Sequence, residues 1–170
     1  MHSKKSLIFL GMMGSGKSSI GFLVSKKLNL KFVDIDNVIE NEVGMKISNI
    51  FAKKGEVYFR NLEEKITLKI LRNTNIVVSL GGGGFINEKI RNQVLTNHFS
   101  FWLNWNSEIL LSRIKSSKKR PLAQNSTNQE IMKLIKKRSK IYSKAEFKIN
   151  CNKLTKTEIV KKVTKIYELN

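Results

Sequence analysis

Eight consecutive residues offer the most specific chemistry in this chain: Gly11-Met12-Met13-Gly14-Ser15-Gly16-Lys17-Ser18. They satisfy G-x-x-x-x-G-K-[ST], the phosphate-binding loop, at every required position. The residue types follow from the task. Glycines let successive backbone N–H groups turn inward around phosphates. The helix that follows adds partial positive charge at its N-terminus. Lys17 reaches β- and γ-phosphates, and the Ser18 hydroxyl suits Mg²⁺. A nucleoside triphosphate is therefore expected, but its use is open. A switch GTPase needs a guanine-reading N-K-x-D; the single Asn-Lys pair, Asn152-Lys153, has Thr155 in the aspartate position. No second domain exists for a motor, so the short chain favours a compact small-molecule kinase.

An acceptor side follows along the chain. Asp34-Ile35-Asp36 closes a second strand, and alternation along an extended segment places both carboxylates on one side. One carboxylate suits a metal and the other the proton of an attacking hydroxyl. The competing reading makes Asp36 a helix N-cap. Arg60 lies three residues before Glu63, so on a helix Glu63 can orient the guanidinium as a carboxylate clamp; an ordinary surface pair is the alternative. Gly81-Gly82-Gly83-Gly84 is entropically costly and suits close approach of a ligand to the backbone. With 26 lysines and six arginines, arginine is expected where its planar fork matters. Arg120-Pro121 falls in a lid-like loop and Arg138 on the helix beyond it, whereas Arg72 and Arg91 read as surface residues.

The elements that must position these groups alternate. Strands are expected at Ser6–Leu10, Lys31–Ile35, Ile76–Leu80, Phe99–Leu103 and Phe147–Ile149. Helices are expected at Lys17–Leu28, through most of Asn37–Arg72 with breaks near Gly44 and Gly55, at Ile86–Leu95 and at Ser107–Ile114. Capping boxes at Thr127/Glu130 and Thr155/Glu158 open the last two helices. This is an α/β chain with a parallel sheet covered on both faces.

The chain has 170 residues, long enough for one domain, and 41% are hydrophobic. No apolar run reaches the roughly 20 residues a membrane helix needs, and the basic start lacks a cleavage site, so a cytoplasmic protein is expected. One cysteine, Cys151, rules out an internal disulfide and a cysteine-built zinc site. Thirty-two basic residues against 13 acidic give +19. Residues 111–170 hold 17 basic and 4 acidic side chains. Lys133, Lys136, Lys137 and Lys140 sit at helical spacing without interleaved aromatics, which favours a solvated face over a nucleic-acid surface. Trp102 and Trp105 read as packing at the end of the fourth strand, His98 as a surface turn residue, and Cys151 as a small buried thiol.

With its motifs assembled, the chain resembles shikimate kinase. The likeness runs from about Leu7 to Ile166. It rests on Gly11–Ser18, Asp34-x-Asp36, Gly55-Glu56-x-x-Phe59-Arg60-x-x-Glu63, Gly81-Gly82-Gly83, Arg120-Pro121-Leu122 and Arg138-x-x-x-Tyr142-x-x-Ala145. Gly84 stands where the family commonly has alanine, and Cys151–Leu154 lacks a proline common on the adenine side. The resemblance implies a three-layer α/β/α P-loop kinase fold with a five-stranded parallel sheet, a substrate-binding insertion over about 37–63 and a lid over about 115–128. It implies ATP-dependent phosphorylation of the 3-hydroxyl of shikimate by a cytoplasmic monomer with no nucleic-acid or membrane partner. By the same resemblance Gly14, Ser15, Gly16, Lys17, Ser18 and Ser19 hold ATP, with Arg113 stacking on adenine and Arg120 closing over the phosphates. Ser18 and Asp34 hold Mg²⁺. Asp36 binds shikimate and acts as base. Arg60 and Arg138 clamp its carboxylate, and Gly81, Gly82 and Gly83 approach its ring. Lys17, Asp36 and Arg120 carry the chemistry. Ile47, Phe51, Phe59, Pro121 and Leu122 form an apolar wall. A kinase for another hydroxyl acceptor, such as gluconate, and a basic nucleic-acid binder are the competing readings.

Overall fold

The computed structural model describes residues 5–117 and 126–170. Arg120, Pro121, Leu122 and most of the expected lid lie outside the described residues. Five parallel strands form one sheet in the order β2-β3-β1-β4-β5: β1 Leu7–Leu10, β2 Lys31–Asp34, β3 Ile76–Ser79, β4 Phe99–Asn104 and β5 Phe147–Asn150. The central strands β3, β1 and β4 are mostly apolar, and β1 entirely so, because helices cover both faces. Side chains alternate between those faces. Ile8, Leu10, Val78 and Trp102 enter one core, and Leu7, Phe9, Val77, Phe101 and Leu103 the other.

Helices α1 (Lys17–Leu28) and α7 (Lys156–Leu169) cover the second face, through Ile20, Val24, Ile159, Val163 and Tyr167. α1 lies very close to the sheet at Gly21, where a Cβ would sit 2.8 Å from the Phe32 ring. The opposite face is covered by α2 (Ile35–Val43), α3 (Ile47–Ile70), α4 (Glu88–Asn97), α5 (Ser107–Ser116) and α6 (Asn128–Tyr142). α3 is interrupted at Gly55, whose φ of 81° breaks the helix. Both capping boxes are formed, at Thr127/Glu130 and Thr155/Glu158. Lys133, Lys136, Lys137 and Lys140 are exposed along α6. Among the described residues no helix is long and apolar enough to cross a membrane.

Several local expectations need correction. β2 stops at Asp34, and Ile35 opens α2. Asp34, not Asp36, is the N-cap: its carboxylate accepts the Asn37 N–H at 3.2 Å. An Asp two residues earlier satisfies an orphan helix donor, and that ends the strand. Asp34 and Asp36 are therefore related by a strand-to-helix corner rather than by strand alternation. The helix after the glycines starts at Glu88, capped by Asn87, because Gly84–Ile86 form a 3₁₀ turn first. His98 is no surface residue. It is buried between α4 and β4, with Nε2 2.9 Å from the Leu71 carbonyl. Burial holds its pKa below the usual histidine range.

Candidate functional site

The first cradle lies where β1 runs into α1. Gly14 and Gly16 have φ of 79° and 89°, so only glycine fits the turn without strain. The Ser15 N–H donates to the Met12 carbonyl at 3.2 Å, which tightens the loop. Gly16 caps α1 and has no side chain to occupy the helix's opening N–H groups, which suit an anion. Ser19 lies half-buried in that first turn. Lys17 is buried, and its ammonium donates to the Gly11 and Met12 carbonyls at 3.0 and 2.9 Å. The Ser18 hydroxyl donates to Asp34 Oδ2 at 2.5 Å and lies 3.4 Å from Ser79 Oγ. Two strands and a helix thus bring hard oxygen donors to one edge of the loop. That chemistry fits Mg²⁺, which takes one or two protein oxygens and keeps substrate phosphates as further ligands.

The second cradle has the glycine turn after β3 as its floor. A Cβ on Gly81 would lie 2.7 Å from both Asp36 Oδ1 and Glu63 Oε1, and one on Gly82 would lie 3.3 Å from the Met13 nitrogen. A Cβ on Gly83 would collide with the Arg60 guanidinium, most closely at Nη1 and 2.8 Å from Cζ. Arg138 donates to the Gly82 carbonyl at 3.3 Å. One turn therefore gathers Asp36, Arg60 and Arg138, which are remote in sequence, and abuts the phosphate loop on its other side. Arg60 is well fixed. It donates to Glu63 Oε2 at 2.7 Å and to Glu56 Oε1 at 3.4 Å. Its Cζ lies 5.1 Å from the Phe59 ring centroid and 6.0 Å from that of Phe51. Glu63 is buried, and its Oε1 has no hydrogen-bond partner among the described residues. Ile47, Phe51 and Phe59 lie in one apolar cluster beside this turn.

Two contributors were not legible as such. The Tyr142 hydroxyl donates to the Gly82 carbonyl at 2.5 Å, and burial pushes its pKa up to about 12. Trp105 is more than packing. Its indole N–H donates to the Ser15 carbonyl at 2.9 Å, across 90 residues of sequence. Arg113 lies with its Cζ 3.9 Å from the Trp105 ring centroid and donates to the Gly14 carbonyl at 3.3 Å. An aromatic side chain just past the carboxyl end of β4, where α/β sheets bind ligands, was the available signal.

Known proteins resemble this chain over nearly its whole length. A family model described as shikimate kinase matches residues 13–168. The shikimate kinase of Sulfurihydrogenibium sp. (strain YO3AOP1) is 41% identical over 163 residues, covering 95% of this chain and 98% of that protein. Among solved structures, the shikimate kinase from Acinetobacter baumannii in complex with shikimate superposes with a TM-score of 0.90 at 27% identity, covering 98% of this chain and 94% of the other. The shikimate kinase from Aquifex aeolicus vf5 gives a TM-score of 0.83 at 35% identity, with 97% of each chain covered.

Proposed function

The chain belongs to the shikimate kinase family, and we propose that its two abutting cradles carry out that family's reaction between ATP and shikimate. It phosphorylates the 3-hydroxyl of shikimate, giving shikimate 3-phosphate and ADP, in the shikimate pathway of aromatic amino-acid biosynthesis. The observation that carries the assignment of roles is the glycine turn. Gly81–Gly83 meet Asp36, Arg60 and Arg138 on one side and Met13 of the phosphate loop on the other. An organic acid held there lies next to the γ-phosphate.

The arginines seat the carboxylate, Glu63 holds the Arg60 fork, and the bare glycines let the ring approach the backbone. The 3-hydroxyl oxygen attacks the γ-phosphorus while the bond from that phosphorus to the β–γ bridging oxygen breaks. The hydroxyl proton passes to the Asp36 carboxylate, and ADP leaves. On binding the triphosphate, Lys17 exchanges the Gly11 and Met12 carbonyls for phosphate oxygens. Ser18 and Asp34 would hold Mg²⁺, which offsets charge on the β- and γ-phosphates. Most of the rate enhancement then comes from positioning and charge neutralisation. Arg120 adds positive charge from the lid, whose closure excludes water as a rival acceptor. The whole chain works as one kinase unit, with residues 37–63 as the acceptor-binding insertion and 115–128 as the lid. As part of the same proposal it acts as a monomer in the cytoplasm, with small molecules as its partners and neither nucleic acid nor membrane.

The test is ADP release in a coupled assay with shikimate, with gluconate as the competing acceptor. The wild type turns over with shikimate alone. Asp36→Asn loses about 10²–10⁴-fold in kcat, the range of a general base, while still binding ATP. Turnover with gluconate in preference to shikimate, or near-normal turnover by Asp36→Asn, overturns the assignment of acceptor or of base respectively.

A further inference from the structure

We infer that Trp105 is a positioning residue for nucleotide binding, holding the peptide plane between Ser15 and Gly16 so that its N–H faces the phosphates. The inference rests on the kinase reading of the phosphate loop and adds to it a residue outside that loop.

The argument starts from the peptide unit. The plane between Ser15 and Gly16 is trans, so its carbonyl and its N–H point in opposite directions. The indole N–H of Trp105 holds the Ser15 carbonyl at 2.9 Å. The Gly16 N–H is thereby aimed away from the indole. Without such a tether this plane would turn more easily, because Gly16 on its far side, with φ of 89°, has no Cβ to restrict rotation.

The preceding carbonyl is held from the same side. Arg113 donates to the Gly14 carbonyl at 3.3 Å while its guanidinium lies over the indole, Cζ 3.9 Å from the ring centroid. Trp105 therefore acts twice, as a direct donor and as the surface on which Arg113 rests. Arg113 is exposed, so the guanidinium face turned from the indole is open to a flat base.

The indole has a firm base. The next residue, Asn106, is tied to Asn152 by two hydrogen bonds: its N–H donates to Asn152 Oδ1 at 2.6 Å, and Asn152 Nδ2 donates to its Oδ1 at 2.8 Å. The ring is half-buried and packs against both apolar cores. A residue held this way transmits the position of the sheet edge to the loop.

The experiment compares the wild type with Trp105→Phe, which keeps an aromatic face for Arg113 but has no N–H donor. ADP affinity is measured by calorimetry, and KM is measured for each substrate. One neutral hydrogen bond lost from a preorganised loop corresponds to a roughly fivefold change. The expected result is a fivefold rise in the ADP Kd and in KM for ATP, with KM for shikimate and kcat within twofold. An ADP Kd within twofold of wild type overturns the inference. So does a rise in KM for shikimate that matches the rise for ATP, since a merely structural role disturbs both sites together. A second measurement needs no variant: the indole N–H resonance of Trp105 in the wild type is expected to shift saturably with ADP, and an unmoved resonance overturns the inference. Calorimetry with ADP judges Trp105 whatever the acceptor. A wild type that binds ADP but ignores shikimate defeats the acceptor assignment instead.

Discussion

Replacing Gly83 by alanine separates backbone tolerance from site geometry. Gly83 has φ −97° and ψ −13°, a conformation open to any residue, so the main chain accepts the substitution without strain. The obstacle is the Arg60 guanidinium. The new Cβ would stand 2.8 Å from Cζ and 3.0 Å from Nη2. The Nη1 atom lies closer still, and non-bonded heavy atoms rest comfortably at about 3.5 Å or more, so the guanidinium must retreat by about 1 Å. That movement disturbs its 2.7 Å bond to Glu63 and shifts the proposed carboxylate seat. A displacement near 1 Å in a positioning group costs about 10²-fold in rate, equivalent to about 2.7 kcal/mol of transition-state stabilisation. In a coupled ADP-release assay, Gly83→Ala is therefore expected to lose about 10²-fold in kcat/KM for shikimate while KM for ATP stays within twofold. Circular dichroism establishes that the chain is folded. A kcat/KM for shikimate within threefold of wild type refutes the reasoning, because it means Arg60 is not the seat. An equal loss for both substrates refutes it too, because the damage is then not confined to the acceptor.

Two further expectations concern buried titratable groups. Burial raises the Cys151 thiol from 9.0 to about 12. The native chain should give no reaction with a disulfide reagent at pH 8 within the mixing time, and one equivalent after unfolding in guanidinium; prompt native reaction contradicts the burial. The unfolded thiol ionises first, so this group's contribution to stability falls as pH rises from 9 towards 12. His98 has the opposite dependence. Burial lowers its folded pKa, so the unfolded chain takes up the proton first, and stability is lost as pH falls through about 6.5. The melting-temperature advantage of the wild type over His98→Gln should be largest above pH 7 and shrink towards pH 5. A difference independent of pH removes His98 from the acid sensitivity.

How much of each residue's role is legible in the sequence depends on how local its determinants are. The phosphate loop was legible because the glycines, lysine and serine that mark it fall within eight residues. The Arg60–Glu63 pair was legible as well, since helical spacing alone brings those side chains together. Asp34 and Asp36 were only half legible. Their nearness to the site could be read from the end of a strand, but a cap and one more strand residue compete within a fraction of a turn, and the cap prevailed. The polarity of His98 suggests solvent, whereas the fold buries it between α4 and β4 and the Leu71 carbonyl, 27 positions away, supplies its partner. Trp105 and Tyr142 act through backbone carbonyls that any residue type could have offered. No pattern of side chains marks such an acceptor.

The missing side chain at Gly21 has a consequence for the start of its helix, about one turn away. Because α1 rests almost directly on the Phe32 ring, the depth at which it sits fixes how far its first turn stands above the rim of the sheet. Grip on the triphosphate is in this sense adjusted from behind, by the thickness of the layer between helix and strand. A group of atoms that never meets a ligand thus sets the reach of those that do.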